Sequence, residues 1–208
     1  MEPITAKRFY DSLKKTLKED EARTVENYCY TKAWTDYLAD KLEKILRDEF
    51  QLKTNREYFR IDMIGWSGCK EWEDKENNST YQKHVAYKKY EKNSILKLNE
   101  CNWNLEIAIE YENNSHDWMD EVIKLCHIKC GLKVLIAYSD MKSREQDEEK
   151  LKLAAKHMKN LTYSRPSANE SFLIVLGNCN NDREYQSMAD LNLIPYHYVH
   201  GCFERLPV

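Results

Sequence analysis

Two stretches of this 208-residue chain hold carboxylates in company that asks for an explanation. Asp62 lies inside Tyr58-Phe59-Arg60-Ile61-Asp62-Met63-Ile64-Gly65-Trp66, an aromatic and β-branched run that reads as a strand ending near Gly68. Trp103 to Glu112 alternates strictly, with Leu105, Ile107 and Ile109 on one face and Glu106, Ala108, Glu110 and Glu112 on the other. Side chains two apart on a strand share a face, so Glu110 and Glu112 point together, and Asp62 joins them if the two strands are neighbours. Carboxylates gathered in this way repel one another unless a divalent cation or a Lys or Arg neutralises them. Hard oxygen donors suit Mg²⁺, which polarises a phosphate oxygen and lowers the pKa of a bound water, the chemistry needed to break a phosphodiester. The plainer reading is a solvated strand face, with Asp62 bonded to a nearby backbone group or to Arg60. Three glutamates on one face of a central strand favour the cation, because Glu is depleted in strands and costly to bury.

Other chemistries find less support. Cys126-His127-Ile128-Lys129-Cys130 and His197-Tyr198-Val199-His200-Gly201-Cys202 offer zinc-ligand residue types without the paired CxxC spacing of a structural zinc site. Cys126 and Cys130 also fall on an apolar stripe, where free cysteine is usually a small core residue. There is no GxSxG elbow, GxxxxGK[ST] loop or GxGxxG turn. Between 81 and 97, Lys83, Tyr87, Lys88 and Lys89 interleave basic and aromatic side chains, a pattern in which lysines contact phosphates and a tyrosine stacks on a base. A solvated helix or hairpin explains that segment equally well.

The elements that must position these residues follow from periodicity. Residues 5 to 50 read as two helices, the second with Trp34, Leu38, Leu42, Ile45 and Phe50 at helical spacing and Asp40 and Glu43 on its charged side. The strand carrying Asp62 comes next, then a segment at about 67–102 read as an insertion, then the alternating strand. Met119, Val122, Ile123, Cys126 and Cys130 form a helical stripe stopping at Gly131, read as a C-cap. Leu132 to Tyr138 is an apolar strand, 143–160 a charged helix, Phe172 to Leu176 a buried strand, 182–191 a short helix, and Tyr196 to Phe203 a last strand after Pro195. Antiparallel pairing early and crossover helices later imply an α/β fold with a mixed central sheet flanked by helices.

With 42% hydrophobic and 32% charged residues, 5 Gly and 4 Pro, the chain has little room for linkers, and 1–208 is expected to form one domain. The net charge of −3 is too small to point to a partner. Seven scattered cysteines do not read as a disulfide framework. Met1-Glu2-Pro3-Ile4 lacks a basic segment followed by an apolar one, and nowhere do about 18 apolar residues run together. The expectation is therefore a cytoplasmic protein with no membrane contact.

On a helix, a strand carrying Asp62, a strand ending in Glu110-Tyr111-Glu112, a further helix and the apolar strand 132–138, the chain resembles the PD-(D/E)xK, or restriction-endonuclease-like, nuclease superfamily over residues 31 to 138. The resemblance implies that Asp62 and Glu110 bind Mg²⁺, with Mn²⁺ as a substitute. The family's lysine, two positions after the second acid, is replaced by Glu112, which some type II restriction enzymes use on the attacking water. Lys124, on the following helix with Asp120 and His127 off the apolar stripe, is the candidate for a relocated lysine. A metal-dependent endonuclease acting on nucleic acid, with DNA favoured, is the function implied. A restriction enzyme would often be dimeric, but no dimer surface is visible in the sequence. The alternatives left open are a non-catalytic binding or assembly protein of similar fold and a metal-free enzyme of another class.

Overall fold

The computed structural model describes residues 3–58, 60–68, 103–112, 118–139, 144–161, 170–178 and 185–207. Its helical opening consists of α1 (Ala6–Glu19), α2 (Glu21–Tyr28) and α3 (Thr31–Lys44), three helices where periodicity suggested two. Thr5 starts α1 by accepting the Arg8 N–H at 3.2 Å, and Asp20 breaks it from α2 with an extended φ of −129°. No Gly or Pro announces that break. A π-helical turn, Ile45–Glu49, continues α3, and Leu52 N–H then bonds back to Leu46 C=O at 2.9 Å to aim the chain into the sheet.

Seven strands follow in one sheet: β1 (Lys53–Tyr58), β2 (Ile61–Gly68), β3 (Trp103–Glu112), β4 (Leu132–Ser139), β5 (Ser171–Asn178), β6 (Ile194–Val199) and β7 (Cys202–Arg205). Their spatial order is their chain order. β1, β2 and β3 pair antiparallel, β3, β4 and β5 pair parallel, and β6 and β7 return antiparallel, so the mixed sheet expected from the sequence is present. The parallel steps are bridged by α4 (Met119–Cys126) and α5 (Arg144–Asn160), while a short α6 (Met188–Leu191) precedes β6.

Helices cover both faces. Phe9, Leu13, Leu17, Trp34, Leu38 and Leu42 from α1 and α3 pack on Met63, Ile107, Ile109, Val134 and Leu173. On the opposite face Val122, Leu125, Leu151, Ala154 and Met158 from α4 and α5 pack on Ala108, Leu135, Phe172 and Ile174. β4 is buried along its whole length, which is why it reads as a continuous apolar run. The exception inside that run is Lys133, 1% exposed, which pairs with Glu170 at 2.7 Å and so escapes burial as a lone charge.

Several elements depart from expectation. The run 58–66 is not one strand: β1 and β2 form a hairpin in which Tyr58 pairs with Ile61, with Arg60 in the left-handed region at φ 67°. Residues 196–203 likewise form a hairpin, turned by His200 and Gly201, both at positive φ, and Pro195 lies within β6. α4 stops at Cys126 with His127 as its cap, so Cys130 and Gly131 lie beyond it. Helix in the 182–191 region covers Met188–Leu191, begun by a Ser187–Asp190 capping box. β2 extends to Gly68, and the rest of the inserted segment, 69–102, lies outside the described residues.

Gly65 marks a register shift between β2 and β3, and a Cβ there would come within 2.8 Å of both Ile107 Cγ2 and Leu52 Cδ1. Both neighbours are buried core side chains. Gly65→Ala should therefore destabilise the fold by about 1–3 kcal/mol in denaturant titration. An unchanged unfolding midpoint would contradict this packing of β2 against β3 and the segment that follows α3.

Candidate active site

Pairing of β2 with β3 brings the two acids of the sequence motif together. Met63 is opposite Ile109, so the next step along each strand sets Asp62 opposite Glu110, on the face covered by α4. Asp62 Oδ2 accepts the Tyr111 N–H at 2.8 Å, which fixes its carboxylate against β3. Glu110 is 1% exposed and sits beside Leu135 of β4.

Lys124 is the cation of this cluster. Its helix packs on β3 and β4 through Val122, Leu125 and Cys126, which turns the opposite helical flank toward the ends of β2 and β3. Lys124 Nζ lies 2.9 Å from Glu110 Oε1, forms a close ion pair with Glu121, and donates to Arg60 C=O at 3.0 Å. The lysine thus joins α4, β3 and the β1–β2 turn. Glu121 is the residue that sequence reasoning missed; its signal was the i,i+3 spacing to Lys124. Asp120 and His127, grouped with Lys124 in the sequence, are exposed.

Burial pushes the Glu110 carboxyl up to about 9; Lys124 opposes this, and the negative charges of Asp62 and Glu121 reinforce it. For Lys124, burial works against the charge, but Glu121 and Glu110 outweigh it and hold the ammonium above its usual value. Glu110 Oε1 and Glu121 Oε2 are both buried without a hydrogen bond of good geometry, despite their proximity to Lys124.

Both oxygens depend on the Lys124 ammonium for their compensation. Among the described residues no group of three or more His, Cys, Asp or Glu could hold a metal ion.

The remaining candidates divide clearly. Glu112 is half-buried one alternation past Glu110 on the same strand face. Glu106, at the far end of β3, accepts from Ser67 Oγ at 2.6 Å and stands apart from the cluster. Asp40 and Glu43 are held by Arg56 of β1 at 2.7 and 2.6 Å. Cys126 and Cys130 are buried, and burial pushes their thiols up to about 11 and about 12, which opposes the thiolate form that zinc requires. Lys83, Tyr87, Lys88 and Lys89 lie outside the described residues.

The raised Glu110 carboxyl has a consequence for stability. Unfolding returns Glu110 to an ordinary value near 4.5, so between about 4.5 and 9 the folded state binds more protons than the unfolded one. The stabilisation associated with that proton is full below 4.5 and is lost as pH rises through about 9. Glu110→Gln, which keeps the shape and removes the titration, should gain on wild type as pH rises from 5 to 9 in denaturant titrations. Parallel pH curves would show that Glu110 is ionised throughout. No protein-family model, curated protein or solved structure matches this chain, so the reading of its site rests on its own residues.

Proposed function

We propose that the protein is a divalent-metal-dependent nuclease hydrolysing phosphodiester bonds of nucleic acid, with DNA the favoured substrate. The observation that carries this reading is the meeting of Asp62 and Glu110 across β2 and β3, with Lys124 delivered to the same point by α4. These acids sit in the order helix, strands, helix, parallel strand that the PD-(D/E)xK resemblance implies, and the lysine is on the helix to which a relocated one was assigned. A restriction-endonuclease-like core is the corresponding reading of the fold.

Asp62 and Glu110 would hold Mg²⁺ or Mn²⁺, with Glu121 near enough to Lys124 to support the site from α4. The cation supplies Lewis-acid polarisation of the phosphate and a more acidic water. Glu110 must shed its proton to serve as a ligand, which a nearby cation favours by reversing the local charge balance. Lys124, fixed between α4 and the Arg60 carbonyl, is placed to neutralise charge developing on the phosphate. Glu112, further along the same strand face, is assigned to orienting or deprotonating the attacking water.

A second reading, a non-catalytic binding or assembly protein, draws on one observation. Asp62 already accepts a backbone N–H and Lys124 already faces two acids, so the cluster is partly compensated from within. As for membranes, among the described residues no helix is long and apolar enough to cross one.

The test is cleavage of labelled single- and double-stranded DNA and RNA with Mg²⁺ or Mn²⁺. Wild type should cleave only with metal, and Asp62→Asn, Glu110→Gln and Lys124→Met should each lose roughly 100-fold or more while retaining cooperative melting. No cleavage of any substrate by wild type, or cleavage indifferent to Asp62→Asn, would favour the non-catalytic reading.

A further inference from the structure

At the opposite end of the sheet, β5 and β6 bring a hydroxyl and an imidazole together. Ser171 Oγ and His197 Nε2 are 2.7 Å apart. The register explains the meeting: Leu173 is opposite His197, and Ser171 lies two residues before Leu173 on the same face. Glu204 of β7 is directly opposite His197 on its other side. Three successive strands thus present a serine, a histidine and a glutamate on one face of the sheet. With the imidazole proton on Nδ1, the Ser171 hydroxyl donates to Nε2, the arrangement that prepares a serine for attack.

The pair is accessible. Ser171 and His197 line a cleft of about 910 Å³ whose wall includes Ile4, Val199 and Leu206. The first turn of α1 contributes Ala6 and Lys7 to the same cleft, and that turn carries no acidic side chain. Arg8 N–H is capped by Thr5 and Phe9 N–H bonds to Thr5 C=O, which leaves the Ala6 and Lys7 amides as the unsatisfied pair expected at a helix start. Such amides stabilise a developing oxyanion. Around the rim Glu170 is paired with Lys133 and Lys7 with Asp11, so neither presents an unpaired charge to the cleft.

We propose that this cleft is a second reactive site, in which Ser171 is a nucleophile activated by His197 toward neutral esters of short apolar acyl groups. Ser171 Oγ bonds to the carbonyl carbon as its proton passes to His197 Nε2. The ester C–O bond then breaks and the departing alcohol takes that proton. Water repeats the sequence, losing a proton to His197, releasing the acid and restoring Ser171. Glu204 opposite His197 favours the charged imidazole formed midway, while burial, the larger influence, holds the resting ring below its usual value and hence neutral at pH 7.

The whole protein is treated with a fluorophosphonate probe and, separately, with p-nitrophenyl butyrate. The adduct is expected on Ser171 by peptide mass spectrometry, with a burst of p-nitrophenol approaching one per chain, and both are lost in Ser171→Ala. His197→Gln, which keeps a hydrogen-bond partner but no base, should slow labelling roughly 100-fold. The wild-type labelling rate should rise with pH to a plateau by neutrality. No adduct at Ser171, equal labelling in His197→Gln, or a rate that climbs without a plateau above pH 8 would each show the pair to be a cross-strand structural bond only.

Discussion

A carboxyl group buried at the middle of a sheet has few ways to persist, and Glu110 uses two of them at once. Burial raises its carboxyl to about 9, well above the usual carboxylate range, and it sits 2.9 Å from the Lys124 ammonium. An isolated charge in that position would be prohibitive, and an unpaired neutral carboxyl would still lose hydrogen bonds to water. The compensation constrains the surrounding structure. α4 must pack at the angle that delivers Lys124, and the β1–β2 turn must expose the Arg60 carbonyl that receives its third contact.

The sheet supplies the geometry that this compensation requires. The antiparallel hairpin side sets Asp62 opposite Glu110, whereas the parallel side forces the crossover that contains α4. The two side-chain layers of β3 are thereby divided: Ile107 and Ile109 anchor the helical opening of the chain, and Ala108 and Glu110 face α4. The same logic recurs at Lys133, where a fully buried ammonium on β4 is matched by Glu170 across the entry to β5. The Glu110 cluster differs in setting one ammonium, Lys124, against two acids, Glu110 and Glu121, with Asp62 opposite Glu110 across the strands.

Much of this was legible in the sequence, for physical reasons that also explain what was not. The alternation of 103–112 and the unbroken apolar runs of β4 and β5 report burial directly, so those strands and the facing acids could be read. The β1–β2 hairpin could not, because Arg60 takes φ 67° with no Gly, Asn or Pro to signal a turn, and β1 is polar apart from Tyr58, which reads as the start of the β2 run. The break at Asp20 between α1 and α2 is hidden in the same way. Lys124 was legible as a polar residue off an apolar stripe, but Glu121 was not, since choosing between Asp120 and Glu121 depends on the exact rotation of α4 against β3. The Ser171–His197 meeting depends on register between strands separated by a helix, which no local pattern encodes.

The most direct measurement of the central claim is calorimetric titration of the protein with Mn²⁺ at pH 7 in two buffers of different ionisation enthalpy. Binding that releases about one proton per metal ion in wild type is expected, because Glu110, raised to about 9, can hold a cation only after its proton leaves. Abolition of that binding in Asp62→Asn completes the expected result. Binding that is independent of Asp62, or that releases no proton, would contradict the assignment of a metal site to the paired acids of β2 and β3.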